Sequence, residues 1–205
     1  MTVAKVMKLT DQGVREAMRH PVLKGKKIIG RGVFSIVFEG TRKNAVLKLT
    51  CDQYAYHMLN DDHCAVTHRH FPRVSKNYSR VGNVKLAGRD FPIYLYEMER
   101  LEELQFGTEQ RKLALKLCKS VDLSDWKTAS TMSRIQTALA LEDAAKDKNM
   151  PRSIKNALMD LGRFCRAMPG AGLDLHMGNI MRRKNGEIVF SDPLLDPQCF
   201  ASKQW

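Results

Sequence analysis

The stretch LDLHMGNIM at residues 173–181, followed by IVFSDP at residues 188–193, decides the fold of this chain. Both segments contain short apolar runs, and the Asn185-Gly186 dipeptide between them is typical of a tight hairpin turn. The pattern predicts a loop, a short strand, a turn and a second short strand that ends next to an acid. It would place the side chains of Asp174, Asn179 and Asp192 at the mouth of one hairpin.

Three oxygen-bearing side chains at such a place suit a nucleoside triphosphate and its magnesium ions. Asp174 could accept the proton of an attacking hydroxyl group, and Asn179 and Asp192 offer the hard oxygen atoms that Mg²⁺ prefers. Asn179 follows Asp174 by five positions, as in kinase catalytic loops, and Asp192 follows Asn179 by thirteen. An ordinary loop and hairpin is the alternative, so the N-terminal motifs decide between the two.

A glycine-containing turn lies between two β-rich runs in IIGRGVFSIVFEG, residues 28–40. Gly30 and Gly32 would let the backbone approach a phosphate group closely. In the kinase pattern G-x-G-x-x-G-x-V, Ser35 stands at the third glycine and Val37 at the valine. A lone G-x-G is weak evidence, because hairpins also need glycine.

The run AVLKL at residues 45–49 predicts a strand that carries a lysine among apolar residues. Lys48 stands where the V-A-I-K strand of kinases has the lysine that reaches the α- and β-phosphates. A lysine on the solvent face of a strand is the alternative. Its position one turn and one strand after the glycines favours the phosphate contact.

The segment 52–60 is predicted to be a helix with Asp52 as its N-cap. In kinases this helix supplies a glutamate to the lysine, but no glutamate occurs here between Thr50 and Tyr96. Either an aspartate substitutes or Lys48 lacks its usual pair. The candidates are Asp52, Asp61 and Asp62.

Residues 81–89 and 91–98 are predicted to form an antiparallel pair of strands. The second would lead into a hinge where backbone groups around Glu97 and Met98 bind the adenine edge, although a plain buried strand would have the same composition. Residues 101–167 read as mainly helical, with Leu104 in the first helix. An apolar stripe predicted to be core comprises Ile154, Leu158, Leu161, Phe164 and Cys165.

Three further segments carry weaker signals. Residues 4–19 are predicted to be a basic helix that packs on a sheet, and residues 193–197 an extended tail. The cluster of His63, Cys64, His68 and His70 could bind zinc, but its spacing matches no standard finger, so a polar loop is favoured.

Composition restricts the function classes. The chain has 205 residues and a net charge of +12, and its first 50 residues carry 11 basic against 3 acidic side chains. Such an excess attracts nucleic acid, acidic proteins or nucleotides, or merely aids solubility. Five scattered cysteines without a C-x-x-C pair suggest reduced thiols in the cytoplasm. The absence of a long apolar run predicts no membrane partner.

The catalytic-loop, glycine-turn and lysine-strand motifs together resemble the protein-kinase-like superfamily. They are most similar to the early serine/threonine kinases of short-tailed lytic phages of the T-seven group, which share a D-x-H-x-G-N-I-M loop. The resemblance implies an α+β, minimal two-lobed fold, with an antiparallel sheet plus helix in the N-lobe and a reduced, mainly helical C-lobe. The expected boundaries are 1–27 for a basic helix and linker, 28–98 for the N-lobe and 99–205 for the C-lobe.

The resemblance also implies ATP and Mg²⁺ as cofactors and serine or threonine of host proteins, including the transcription machinery, as substrates. It assigns catalysis to Asp174 and Lys48 and magnesium to Asn179 and Asp192, in a protein of the host cytoplasm. His176 stands where protein kinases usually have lysine and small-molecule kinases have histidine. Two alternatives therefore stay open: a small-molecule phosphotransferase, and a kinase-fold module that binds an acidic protein or nucleic acid.

Overall fold

A computed structural model describes residues 7–61, 65–121, 134–168 and 170–202. The chain forms two compact units. Unit 1 comprises residues 1–56, 73–100 and 198–205, and unit 2 comprises residues 57–72 and 101–197. The predicted α+β fold class is confirmed, while the boundaries at residues 27 and 98 stay predictions.

Unit 1 is organised by a five-stranded antiparallel sheet with the strand order β1-β2-β3-β5-β4. Its strands are β1 (Ile28–Arg31), β2 (Ser35–Glu39), β3 (Ala45–Thr50), β4 (Val74–Leu86) and β5 (Arg89–Glu99). The central strand β3 is buried at every position, as its almost continuous aliphatic sequence favours. The predicted antiparallel N-terminal sheet is thus confirmed.

The predicted pairing of β4 with β5 is correct, but the predicted start of β4 at residue 81 is wrong by seven residues. Residues 75–80 are polar and mostly exposed, so they lack the apolar alternation that marks a strand. Ser79 has a φ of 63°, and the register of the pair shifts around it. The turn at Ala87-Gly88 has positive φ at both residues, which matches the twist of a two-residue hairpin.

One helix lies within unit 1, and a second begins there. Helix α1 spans Gln12–Ala17, so the predicted helix over residues 4–19 is too long; residues 1–6 lie outside the described residues. The helix cannot begin before Asp11, because the backbone of Asp11 is extended and its carboxylate accepts the backbone N–H of Lys8 at 3.1 Å. The helix packs on β4, as expected, with Gly13 so close that a Cβ would lie 1.7 Å from the carbonyl oxygen of Asn83.

Helix α2 spans Gln53–Asn60, which agrees with the predicted segment. The Oδ1 atom of Asp52 accepts the backbone N–H groups of Tyr54 and Ala55 at 3.0 and 3.1 Å. Asp52 is therefore the N-cap, and its side chain serves the helix.

Among the residues described, three α-helices lie wholly within unit 2: α3 (Glu109–Ser120), α4 (Arg134–Ala145) and α5 (Arg152–Ala167). The α5 stripe is core as predicted, since Ile154, Leu158, Leu161, Phe164 and Cys165 are each at most 3% exposed. On α4, however, Ile135 and Leu139 are 53% and 46% exposed. The buried face of α4 consists mainly of small alanines, Ala138 and Ala144, with Leu141.

Short strands complete unit 2: β6 (Glu102–Glu103), β7 (Gly172–Leu173), β8 (Ile180–Arg182), β9 (Ile188–Phe190) and β10 (Leu194–Leu195). The predicted β8–β9 hairpin is confirmed. The helical prediction for residues 101–104 is wrong, because β6 pairs with β8. The extended segment predicted for residues 193–197 contains β10, which is buried and pairs with β7. Helix α6 (Pro197–Ala201) begins at the last residue of that segment.

Residue 199 of α6 belongs to unit 1, where its thiol meets the end of β3. The Sγ atoms of Cys51 and Cys199 are 3.5 Å apart and both side chains are fully buried. The described cysteines, which also include Cys118 and Cys165, are free thiols, as expected. Within the described parts of the chain, no helix has the length and apolar character that a bilayer span requires.

Candidate active site

The loop between β7 and β8 in unit 2 is held to the β9–β10 connection at two points. The backbone N–H of Asp174 donates to the carbonyl of Pro193 at 2.8 Å. At the other end, the N–H and Oγ of Ser191 donate to the carbonyl of Asn179 at 2.8 and 3.0 Å. These bonds place the segment that contains Asp192 directly beside the loop that carries Asp174.

Asn179 is turned back onto Asp174 by a single 3₁₀ turn over Met177–Asn179. Its Nδ2 atom donates to the Oδ2 atom of Asp174 at 2.9 Å and to the backbone carbonyl of the same residue at 2.7 Å. The amide oxygen of Asn179 then remains as an acceptor or metal ligand. The spacing of five residues is what this closed contact requires.

His176 lies beside the same carboxylate. Its Nδ1 atom accepts the N–H of Gly178 at 3.0 Å, and its Nε2 atom is 3.7 Å from Oδ1 of Asp174. The His176 side chain is 55% exposed, so it is only partly desolvated. This partial burial lowers the pKa of His176, and the nearby charge of Asp192 acts in the opposite direction. A neutral ring that accepts at Nδ1 carries its proton on Nε2, which faces Asp174.

Four predicted site residues thus converge in unit 2: Asp174, His176, Asn179 and Asp192. Among the described residues, no group of three or more histidine, cysteine or acidic side chains could hold a metal ion. Magnesium that arrives with a nucleotide needs only one or two protein oxygens, because phosphates and water complete its shell. The carboxylate of Asp192 and the amide oxygen of Asn179 fit that requirement.

The other predicted site residues lie in unit 1, several of them in one row across the sheet. Gly30 of β1 is opposite Val37 of β2, which is opposite Lys48 of β3, which is opposite Tyr96 of β5. Directly opposed residues share one face of a sheet. Lys48 is only 4% exposed, so the solvent-face alternative for this lysine is wrong.

The glycine turn is tight. The N–H of Gly32 donates to the carbonyl of Ser35 at 2.9 Å, and a Cβ on Gly32 would lie 2.8 Å from the Ser35 Oγ atom. Ser35 itself is 7% exposed. Its hydroxyl therefore fills the inside of the turn, where the third glycine of the kinase pattern would leave space.

Glu97 has a role that the sequence did not reveal. Its carboxylate accepts the N–H of Thr41 at 2.6 Å and the hydroxyl of Ser75 at 3.1 Å, and it lies 3.5 Å from the Arg42 guanidinium. Since Lys48 is opposite Tyr96, strand alternation puts the side chain of Glu97 on the other face. Glu97 therefore does not replace the missing helix glutamate.

The backbone of Glu97 and Met98 lies within paired strands. Both residues have partners on β3, Leu47 and Val46, and on β4, Lys76 and Val74. The assignment of their backbone to adenine binding stays a prediction.

The environment of Glu97 makes the stability of unit 1 dependent on pH. Burial alone would raise the pKa of Glu97, but the hydrogen bonds from Thr41 and Ser75 and the charge of Arg42 bring that pKa below its ordinary value. A lowered folded-state pKa adds stability above the unfolded pKa of about 4.3, and this stability is lost as the pH falls through the folded pKa.

We expect Glu97→Gln to lower the free energy of unfolding by about 1–3 kcal/mol at pH 7, because buried donors lose a charged acceptor. The difference from wild type should shrink below about pH 4. Urea unfolding at both pH values measures it, with the exposed Glu39→Gln as the control. A deficit that stays the same size in acid would contradict the assignment.

Of the histidine cluster, the structure describes only His68 and His70; His63 and Cys64 lie outside the described residues, so the interpretation of the cluster as a polar loop stays a prediction. His70 is buried, its Nδ1 is 2.6 Å from the carbonyl oxygen of Ile188 and its Nε2 is 3.0 Å from the Ser153 hydroxyl. Burial lowers the pKa of His70. Through these two contacts His70 links the segment before β4 to the β8–β9 hairpin and to α5.

A buried arginine supports the same link. Arg183, 8% exposed, donates to the carbonyls of Arg69 and Phe71, the latter at 3.0 Å, and pairs with Glu187 at 2.7 Å. Arg69 reaches the same carboxylate through its Nε atom. No sequence pattern predicted this cluster, because its members are 114 and 112 residues apart in the chain.

No protein-family model matches the chain, and no curated protein matches it. Among solved structures it resembles a thermostable mutant of an aminoglycoside phosphotransferase, in a ternary complex with AMP-PNP and hygromycin B. The two are 15% identical, with 84% of this chain and 68% of the other covered and a TM-score of 0.36.

Proposed function

We propose that the protein transfers the γ-phosphoryl group of ATP to a hydroxyl acceptor. The observation that carries this proposal is the convergence of Asp174, Asn179 and Asp192 in unit 2. The contact of Asn179 with Asp174 and the two backbone ties beside Asp192 support it. Phosphoryl transfer needs little covalent help from a protein, so positioned oxygens and charges are sufficient.

Each of these residues has a definite part in such a reaction. Asp174 orients the acceptor hydroxyl and takes its proton, while the Asn179 amide holds the Oδ2 atom of that carboxylate. Asp192 and the amide oxygen of Asn179 hold Mg²⁺, which when bound neutralises charge on the phosphates. His176, with its proton on Nε2, donates a hydrogen bond toward the same place.

Unit 1 supplies the nucleotide contacts. Lys48 binds the α- and β-phosphates from the row that it shares with Gly30 and Val37. The turn of Gly32 and Ser35 covers the phosphates, and the end of β5 at Glu97 and Met98 binds adenine. The position of Lys48 directly opposite Val37, in the same row as Gly30, supports this assignment.

The acceptor that we propose is serine or threonine of host proteins, among them the transcription machinery, in the host cytoplasm. The support is the resemblance of the D-x-H-x-G-N-I-M loop to the phage kinases. A small-molecule hydroxyl is the second candidate. It is favoured by His176, which stands two residues after Asp174 where protein kinases usually carry lysine.

The test is transfer of ³²P from γ-labelled ATP with Mg²⁺, with a bacterial lysate in one arm and aminoglycosides and choline in the other. Labelled protein bands that contain phosphoserine or phosphothreonine support the first acceptor, and labelled small molecules support the second. No labelling in either arm, together with no Mg²⁺-dependent ATP binding by calorimetry, would overturn the transferase and favour a binding module.

A further inference from the structure

A serine and a histidine of unit 2 that have no part in the proposed transfer reaction form a hydrogen-bonded pair. The Oγ atom of Ser153 is 3.0 Å from the Nε2 atom of His70, whose Nδ1 atom is 2.6 Å from the carbonyl oxygen of Ile188. A carbonyl oxygen only accepts hydrogen bonds, so a neutral His70 ring carries its proton on Nδ1. Its Nε2 atom then accepts the hydroxyl of Ser153, and this nitrogen can also take the hydroxyl proton.

The surroundings of His70 suit it to accept that proton at neutral pH. Burial lowers the pKa of His70 most strongly and the nearby His68 and Arg69 act in the same direction, whereas the hydrogen bond to Ile188 and the charge of Glu187 raise it. The pKa lies below its ordinary value as a result, so the ring is neutral at pH 7. When the ring takes a proton, the Ile188 carbonyl and the Glu187 carboxylate stabilise the cation.

The pair lies in the wall of a cavity that is formed entirely by unit 2. The cavity has a volume of about 290 Å³, and both His70 and Ser153 line it. This volume is close to the lower limit of about 300 Å³ for small-molecule sites. Leu113, Ile154 and Ile188 supply an apolar part of the wall. A small ligand with an apolar group can therefore reach the hydroxyl of Ser153.

The charged side chains that line the cavity already have partners of opposite charge. The Glu187 carboxylate pairs with Arg69 and with Arg183, and the Glu109 carboxylate is 2.6 Å from the Lys112 ammonium. An ionic ligand would have to compete with these pairs, so the cavity favours an uncharged one.

Helix α5 adds backbone donors next to the same hydroxyl. Ser153 is the second residue of the helix, and the first N–H groups of an α-helix have no partner within the helix. Pro151, the N-cap, provides no side-chain cap for them. The N–H groups of Ser153 and Ile154 are therefore available to stabilise an oxyanion on a carbon atom bonded to the Ser153 oxygen.

We propose that Ser153 and His70 form a second active site, which hydrolyses small uncharged carboxylic esters. A nucleophile within hydrogen-bond reach of a base, with the base oriented by a third group, is the arrangement that acyl transfer uses. Here the third group is the carbonyl of Ile188. The reaction needs neither ATP nor a metal ion, so it and the proposed phosphoryl transfer can each fail without the other.

The reaction has two steps. In the first, the Ser153 oxygen bonds to the carbonyl carbon of the ester and its proton passes to the Nε2 atom of His70; the bond from that carbon to the alcohol oxygen then breaks, and the alcohol leaves with the proton. In the second, water gives a proton to His70 and attacks the acyl group. The carboxylic acid leaves, and the Ser153 oxygen recovers the proton from His70.

The experiment uses the whole chain without ATP or Mg²⁺ and two probes. Hydrolysis of p-nitrophenyl butyrate measures kcat/KM, and diisopropyl fluorophosphate with peptide mass mapping locates a reactive serine. The test variants are Ser153→Ala and His70→Asn, whose amide can still donate to the Ile188 carbonyl. The control is Ser120→Ala, a half-buried helical serine of unit 2 that donates to the carbonyl of Lys116 at 2.9 Å. Circular dichroism melting verifies that the variants are folded.

We expect one phosphoryl adduct on the wild-type protein, at Ser153, and none there in His70→Asn. Ester kcat/KM should fall by at least about 10²-fold in Ser153→Ala and in His70→Asn, while Ser120→Ala reacts like wild type. Wild-type kcat/KM should rise as His70 loses its proton and be constant above about pH 7, because the pKa of His70 is lowered. A histidine that only holds the structure together would not produce this pH profile.

Absence of an adduct at Ser153 in the wild-type protein would overturn the proposal. A smaller loss of kcat/KM in Ser153→Ala, or labelling of His70→Asn at the wild-type rate, would also overturn it. Should His70→Asn not fold, Ser153→Ala and the wild-type pH profile carry the test together.

Discussion

Asp174→Asn is expected to lower the rate of phosphoryl transfer by about 10²–10⁴-fold, the range for loss of a general base. The substitution keeps the size of the side chain, and the Asn179 amide can still donate to its remaining oxygen. The variant should therefore fold and bind Mg²⁺-ATP like wild type. Single-turnover transfer measures the rate, and calorimetry measures nucleotide binding.

Asp192→Asn should act on a different step. Loss of the metal carboxylate should weaken ATP binding in the presence of Mg²⁺ but not in its absence, which Asp174→Asn should not do. The control is Asp143→Asn, since that carboxylate is 67% exposed and lies on α4. If Asp174→Asn transferred phosphate at the wild-type rate, or if both variants lost nucleotide binding equally, the assigned roles would be wrong.

Arg183→Met is expected to lower the free energy of unfolding by about 3–5 kcal/mol, the effect of breaking a buried ion pair on one side. The substitution leaves the Glu187 carboxylate, 10% exposed, with one arginine in place of two. It also leaves the carbonyls of Arg69 and Phe71 without this donor. Urea unfolding monitored by circular dichroism measures the loss.

The surface substitution Arg163→Met is the matched control, because that side chain is 74% exposed and its loss should change stability by less than about 0.5 kcal/mol. The double variant Arg183→Met with Glu187→Leu should be more stable than Arg183→Met alone, since it no longer buries an incompletely paired carboxylate. A double variant that is less stable than the single one would contradict this expectation and would show that the remaining pair of Arg69 with Glu187 outweighs the cost of burying the carboxylate.

Local chemistry explains which features of unit 2 and of the sheet could be predicted from the sequence. The β8–β9 hairpin depends on an Asn-Gly turn between apolar runs, and the cap of α2 depends on one aspartate. The contact of Asn179 with Asp174 depends on a five-residue spacing. The hairpin, the helix cap and this contact each depend on residues that are close together in the chain, so short sequence motifs are sufficient to predict them.

The features that were missed depend on distant partners or on residues with weak signals. The start of β4 is polar and exposed, and β6 and β10 are two residues long, below the length at which a period can be recognised. The role of Glu97 depends on Thr41, 56 residues away. The buried face of α4 is difficult to recognise in the sequence because it consists mainly of alanines. The larger apolar residues Ile135 and Leu139 lie on the exposed face of the helix.

The contact between Cys51 and Cys199 has a consequence for the order in which the protein can fold. These residues are 148 positions apart, and ribosomes add roughly 5–20 residues per second. The end of β3 must therefore wait roughly 7–30 s for its covering helix. During that interval an apolar surface of the newly made sheet is exposed, which makes the growing chain a substrate for chaperones and prone to aggregation.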